Sequence, residues 1–153
     1  MLVLPFNLLI MSQLLTVEEL NSMCKHTMIE HLGIKYTELS SGRVIATMPV
    51  DERTIQPMKR LHGGAIMTLA ESVGSAGSLA MVDRTRYYVL GVEISGSHVG
   101  TTLEKIVIAE ANIVHQGASS HVWEIHVKDK NDILISVCRL TNRIIPIKTK
   151  EKE

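Results

Sequence analysis

LHGGAIMTLAESVGSAGSLA, Leu61 to Ala80, is an apolar run in which Glu71 is the one formally charged side chain. Ile66, Leu69, Ala70, Val73, Ala76 and Ala80 recur at helical spacing. Thr68, Glu71, Ser72, Ser75 and Ser78 fall on a separate stripe of the same helix. The pattern predicts one long helix, running to about Val82, with a narrow seam of hydroxyls and a single carboxylate. A helix with so little charge around it has to be surrounded by protein. Taking a carboxylate out of water is costly unless something compensates for it or uses it. Glu71 is therefore either a buried cap for a loop amide or a reacting group.

The start of the run bears on that choice. The first amides of a helix have no internal partner and sit at the positive end of its dipole. With Gly63 and Gly64 there, no side chain shields those amides, so an oxyanion forming on a carbonyl could be held by one of them. The alternative is a Gly-Gly that only makes a tight turn into the helix. Gly63 and Glu71 are eight residues apart, which is about 12 Å along one helix. A carbonyl held at one and attacked from the other needs both within about 3–4 Å. If the two act together, they do so from two chains packed about a two-fold axis, and the active unit is a dimer.

Working outward, DERTIQPMKR is a polar loop before the helix, and LSSGRVIATMPV reads as a turn at Gly42 entering a strand with Val44, Ala46, Met48 and Val50 on one face. Thr16-Val-Glu-Glu19 is a capping box, after which Leu20, Met23, Cys24, Thr27, Met28 and His31 predict an amphipathic helix ending at Gly33. Downstream of the long helix, YYVLGVEIS, KIVIAEANIVH, HVWEIHVKD and DILISVCRLTNRII read as strands. The short polar turns HQGASS and DKND make their neighbours antiparallel. The expected order is helix, strand, long helix, four antiparallel strands. A strongly curved antiparallel sheet wrapped around one central helix, an α+β arrangement, satisfies it.

Residues 1–15 read as an N-terminal extension, residues 16–147 as the domain and 148–153 as a charged tail. MLVLPFNLLI has no basic leader and is too short to span a bilayer, so no membrane partner is expected. Sixteen basic and sixteen acidic residues cancel, and aromatic residues are scarce, which argues against nucleic acid. Cys24 and Cys138 belong to no metal or redox motif and read as reduced, buried thiols of a cytoplasmic protein. The seven histidines show no ligand spacing, so no metal is expected.

QPMKRLHGGAIMTLAES, GVEISGSHV and VHQGASSHVWEIHVKD together resemble the hotdog-fold acyl-CoA thioesterases. The branch is the one with 4-hydroxybenzoyl-CoA, phenylacetate-pathway and 1,4-dihydroxy-2-naphthoyl-CoA thioesterases. The resemblance spans about residues 16–145. It implies a hotdog fold, sites between paired subunits, and dimers that assemble into a homotetramer. It implies Glu71 as nucleophile or general base, the Gly63 amide as carbonyl-polarising group, Gln56 and His62 as orienting groups, and Ser75 as a hydroxyl that places water or the acyl group.

His98 matches a histidine of the coenzyme A channel, and coenzyme A enters only as part of the substrate, with no separate cofactor. Where relatives carry arginines for phosphate, this chain has Val99-Gly100 and Ala118-Ser119-Ser120. Phosphates would then be met by hydroxyls such as Ser119 and Ser120, backbone amides, or basic residues such as Lys59, Arg60, Arg84 and Lys105. That departure admits an acyl-carrier protein as carrier. Met58 and Met67 are candidates for an acyl pocket or for core. The alternative function is a non-catalytic acyl-CoA sensor on the same fold, though no basic DNA-binding segment accompanies it. An enoyl-CoA hydratase would need an Asp/His pair, and Asp83 stands only at the helix end.

Overall fold

The protein is described here by a computed structural model covering residues 15–148. The expected extension and tail therefore lie outside the described residues except at Leu15, which packs into the core, and Lys148. The capping box forms as expected: Thr16 Oγ accepts from the Glu19 amide at 3.1 Å, and the Glu19 carboxylate accepts from the Thr16 amide at 3.0 Å. It starts α1 (Val17–Met23). The helix expected to run on to Gly33 is broken at His26, which adopts φ +61° with its amide held by the Glu30 carboxylate at 2.6 Å. A second short helix, α2 (Met28–His31), follows, and Gly33 closes it at φ +71°.

Around Gly42, at φ +81°, the chain makes a full hairpin of β1 (Lys35–Ser40) and β2 (Arg43–Pro49). The sequence reading had one strand here. The polar alternation of KYTELS hides the first, because only Tyr36 of β1 is buried. Then come α3 (Gly63–Ala80), β3 (Tyr87–His98), β4 (Ile106–Gln116), β5 (Ser120–Asp129) and β6 (Leu134–Pro146). The strands form one antiparallel sheet in the order β1-β2-β4-β5-β6-β3. β3 follows the helix directly, yet it crosses to the far edge beside β6 instead of pairing with β4.

The sheet wraps α3, which touches every strand, as the hotdog resemblance implies. Ile66, Leu69, Ala70 and Val73 of the helix are buried against Val44, Ala46 and Met48 of β2, Val107 and Ala109 of β4, and Trp123, Ile125 and Val127 of β5. Each valine, leucine, isoleucine or methionine among them contributes about 1.5–3 kcal/mol on leaving water. Gly77 lets the Trp123 indole lie on the helix backbone: a Cβ there would stand 2.3 Å from Trp123 Cη2. Helix and sheet thus meet closely at Gly77, while His62 and Gly64 at the start of α3 stay exposed.

Candidate active site

The mouth of α3 is built by a small loop. Ile55 and Leu61 form an isolated antiparallel bridge, and the His62 amide donates to the Thr54 carbonyl at 2.8 Å. His62 is the N-cap: its Nδ1 accepts from the Gly64 amide at 2.8 Å, which leaves Nε2 protonated in the neutral ring. The amides of Ala65 and Ile66 both donate to the His62 carbonyl. Among the described residues no group accepts from the Gly63 amide, so one helix-mouth donor is left open. Gln56 lies in the same loop, half-buried, with its side-chain oxygen taken by the Met58 amide. His98, at the end of β3, covers Gly63 so closely that a Cβ on Gly63 would lie 2.7 Å from His98 Nε2. His98 Nδ1 is 3.1 Å from Ser136 Oγ, which itself donates to the Ser97 carbonyl.

Glu71 lies two turns into the helix. It reaches β3 at Gly91, where a Cβ would stand 2.9 Å from Glu71 Oε1. A side chain at that position would displace the carboxylate. Contrary to the burial expected from sequence, Glu71 is exposed within one chain, because β3 is the sheet's edge and among the described residues no strand lies beyond it. The polar seam of the helix splits accordingly. Thr68, Glu71, Ser72 and Ser75 line a cavity of about 460 Å³, whereas Ser78, on the same face, is fully buried under Trp123, His121 and Asn142.

The other walls of that cavity are apolar. They come from Leu20, Met23 and Cys24 of the α1 region, Met28 and Ile29 of α2, and Leu79 and Val89. Tyr36 closes the floor, its hydroxyl donating to the Ser72 carbonyl at 3.1 Å. Burial pushes the Tyr36 phenol and the Cys24 thiol above their ordinary ranges, so both stay neutral. Met58 and Met67 are not in this wall: Met58 is largely exposed, and Met67 packs against Gly96 and Cys138. The methionines of the cavity are Met23 and Met28.

The thioesterase superfamily profile matches residues 58–136, from the loop before the helix into β6. The chain belongs to the thioesterase superfamily. It is 39% identical over 131 residues to the proofreading thioesterase EntH of Klebsiella pneumoniae, covering 86% of this chain and 95% of that protein. The crystal structure of a mutant thioesterase PA1618 from Pseudomonas aeruginosa superposes with a TM-score of 0.85 at 36% identity, covering 88% of this chain and 97% of that one. Thioesterase HI1161 from Haemophilus influenzae matches with a TM-score of 0.84 at 33% identity, over 90% and 96% of the two chains. The chain is accordingly an enzyme of the thioester hydrolase class, on the hotdog fold.

Within this thioesterase the residues expected to meet coenzyme A do not lie together. Lys59, Arg60 and His98 stand at the helix-mouth end, with Lys59 and Arg60 exposed. Ser119 and Ser120 sit at the β4–β5 turn, where Ser120 pairs with Arg143, which in turn pairs with Leu90 of β3. That row is one residue from Gly91, at the Glu71 end of β3. Gly63 and Glu71, and likewise His98 and Ser119–Ser120, thus stand toward different ends of β3 within one chain. Among the described residues no group of three His, Cys, Asp or Glu could hold a metal, and no helix is long and apolar enough to cross a membrane.

Sequence reasoning missed Gly91, Asn142 and the cavity wall of α1 and α2. The spacing of Met23, Cys24 and Met28 on the first helix was the available signal for the last of these.

Proposed function

We propose that this chain hydrolyses an acyl-CoA thioester to the free acid and coenzyme A, with Glu71 as nucleophile or general base and the Gly63 amide as oxyanion donor. One observation carries the reading. A carboxylate at the rim of a largely apolar cavity and a helix-mouth amide with no acceptor among the described residues both lie against β3, an edge strand of the described sheet. Hydrolysis asks for little more than a carboxylate, an oxyanion donor and water, so no metal or separate cofactor is needed. His62 Nε2–H and the Gln56 amide would orient the thioester, and Ser75 would place the water.

The acyl group is aromatic, of the 1,4-dihydroxy-2-naphthoyl or phenylacetyl type, or a medium-length chain. The support is a cavity of about 460 Å³ lined by methionine, leucine, isoleucine and valine. That size falls within the range of about 300–1,000 Å³ typical of small-molecule pockets. The nucleotide would lie near His98, Lys59 and Arg60 of one subunit and Ser119 and Ser120 of the other.

The active unit in this reading is a homodimer joined along β3. Tyr88, Leu90 and Val92 of this twelve-residue strand are 47%, 51% and 51% exposed, an apolar edge of the kind that pairs with another strand. A two-fold axis between Ile94 and Ser95 would set Gly91, and so Glu71, opposite the His98 and Gly63 of the second copy. The same axis would reunite Ser119 and Ser120 with His98. Two such dimers would form a homotetramer. Free, buried Cys24 and Cys138 accord with a cytoplasmic setting.

The test is thiol release from 1,4-dihydroxy-2-naphthoyl-, 4-hydroxybenzoyl-, phenylacetyl- and straight-chain acyl-CoAs, with Glu71→Gln alongside. Glu71→Gln should lower kcat about 10²–10⁴-fold. Undiminished turnover in Glu71→Gln would overturn the reading. Binding without turnover by the native chain would instead mark an acyl-CoA binding module.

A further inference from the structure

The hydroxyls of α3 do not behave alike. Thr68 Oγ donates to the Gly64 carbonyl at 2.9 Å, and Ser72 Oγ donates to the Thr68 carbonyl at 2.7 Å. This is the usual outcome for a hydroxyl inside a helix, whose nearest acceptor is the carbonyl four residues back. Ser75 departs from it. Its hydroxyl donates to Asn142 Oδ1 across on β6, at 3.4 Å.

The orientation of Asn142 is set by its surroundings. Its side chain is fully buried, and its Nδ2 donates to the Gly74 carbonyl at 3.2 Å. A carbonyl only accepts, so the nitrogen is on that side and the oxygen faces Ser75. The same Nδ2 donates to Ser78 Oγ at 2.9 Å, and Trp123 Nε1 donates to that oxygen at 2.8 Å. With two donors pointed at it, Ser78 directs its own hydrogen to His121 Nδ1, 3.1 Å away. Every hydrogen in the chain Ser75–Asn142–Ser78–His121 therefore has one direction. The buried end of this network holds the cavity end in place.

We infer that Asn142 is a positioning residue for hydrolysis: by taking the Ser75 hydrogen into the core, it leaves Ser75 Oγ as a pure acceptor toward the cavity, where it holds the attacking water. The inference rests on the thioesterase reading above, with Glu71 acting as base. A water that donates one hydrogen to Ser75 Oγ and the other to Glu71 turns its lone pairs toward the thioester carbon. Glu71 takes the second hydrogen as the oxygen attacks; the carbon–sulfur bond then breaks, and that proton leaves on the thiol. Were Ser75 instead free to donate, it would compete for the lone pair that must attack. Asn142 touches neither the substrate nor the water. The gap at Gly91 brings it close to the site, since a Cβ there would be 3.6 Å from Asn142 Oδ1 and 2.9 Å from Glu71 Oε1.

The test is a double-mutant cycle on thiol release from the best acyl-CoA of the panel, using Ser75→Ala and Asn142→Leu, with Asn142→Asp as the conservative variant. Asn142→Leu should lower kcat about tenfold or more with KM within about twofold, and it should cost nothing further in the Ser75→Ala background. Asn142→Asp keeps an acceptor for Ser75 but loses the donor to Ser78. It should therefore recover most of kcat while its melting temperature stays low, a split that a purely structural role does not produce. Should Asn142→Leu fail to fold, the same cycle with Asn142→Val decides, because valine suits a strand and offers Ser75 no acceptor. Additive losses, or activity that simply tracks stability through the three variants, would overturn the inference. Glu71→Gln run alongside separates the two claims: an inactive Glu71→Gln with an additive cycle sinks only the role of Asn142, whereas an active Glu71→Gln sinks both.

Discussion

His121 shows what a buried polar residue contributes at the scale of single side chains. It is 3% exposed, it receives the Ser78 hydrogen on Nδ1, and burial holds its pKa below the ordinary histidine value. Protonation would place a second hydrogen between Nδ1 and an oxygen that already accepts two. The unfolded chain takes up a proton near pH 6.5, the folded chain only at lower pH. Stability is therefore fully present above about pH 6.5 and declines as pH falls from there toward the depressed folded value. A melting temperature followed from pH 7.5 to 5 should fall, and the fall should flatten in His121→Gln; equal slopes in the two proteins would refute this account. In the sequence His121 is only one of seven histidines without ligand spacing, since the partner that defines its tautomer lies 43 positions away. Glu71 and the Gly63–Gly64 mouth were legible because their oddity is local: one charge in an apolar run, and two glycines at its start. Asn142 was not legible, because an asparagine in a strand is ordinary until Ser75 and Ser78 are seen beside it.

At the scale of elements, α3 is held by contacts that its composition only hints at. Gly74 and Gly77 weaken a helix in isolation, and alanine at either would be favoured by up to about 1 kcal/mol on propensity. Packing reverses the sign. A Cβ at Gly77 would stand 2.3 Å from Trp123 Cη2 and 2.5 Å from Cζ2, and the fully buried indole is held by its bond to Ser78. Overpacking of this kind costs about 1–3 kcal/mol or more. Gly77→Ala should thus lower the midpoint of urea unfolding, and a raised midpoint would show that helix propensity wins. The strands were readable because alternation is a local signal, as with Trp123, Ile125 and Val127 against Glu124, His126 and Lys128. β1 was missed because only one of its six residues is buried, and the break at His26 because it depends on the Glu30 carboxylate reaching back to its amide.

On the scale of the whole molecule, one chain holds the two halves of its proposed site apart. The Gly63 amide stands beside His98, the carboxylate of Glu71 beside Gly91, and β3 runs between them with no strand on its outer edge among the described residues. The dimer reading makes a sharp demand on that edge. Lysines on an edge strand oppose pairing with a second strand. Leu90→Lys with Val92→Lys should therefore yield a folded monomer by sedimentation, with thiol release reduced in proportion to the dimer lost. Full activity in a demonstrated monomer would rule out a shared site.

The sequence by itself determined the long helix, its single carboxylate, its unshielded mouth, the alternating strands and the family these motifs resemble, since each is written in neighbours a few residues apart. Tertiary structure alone decided that β3 crosses to the edge beside β6, that α1 and α2 wall the cavity, and that Ser75 turns its hydrogen to Asn142. Those outcomes depend on which surfaces meet after the chain closes on itself, and sheet order and hydrogen direction are set by partners that no local pattern specifies.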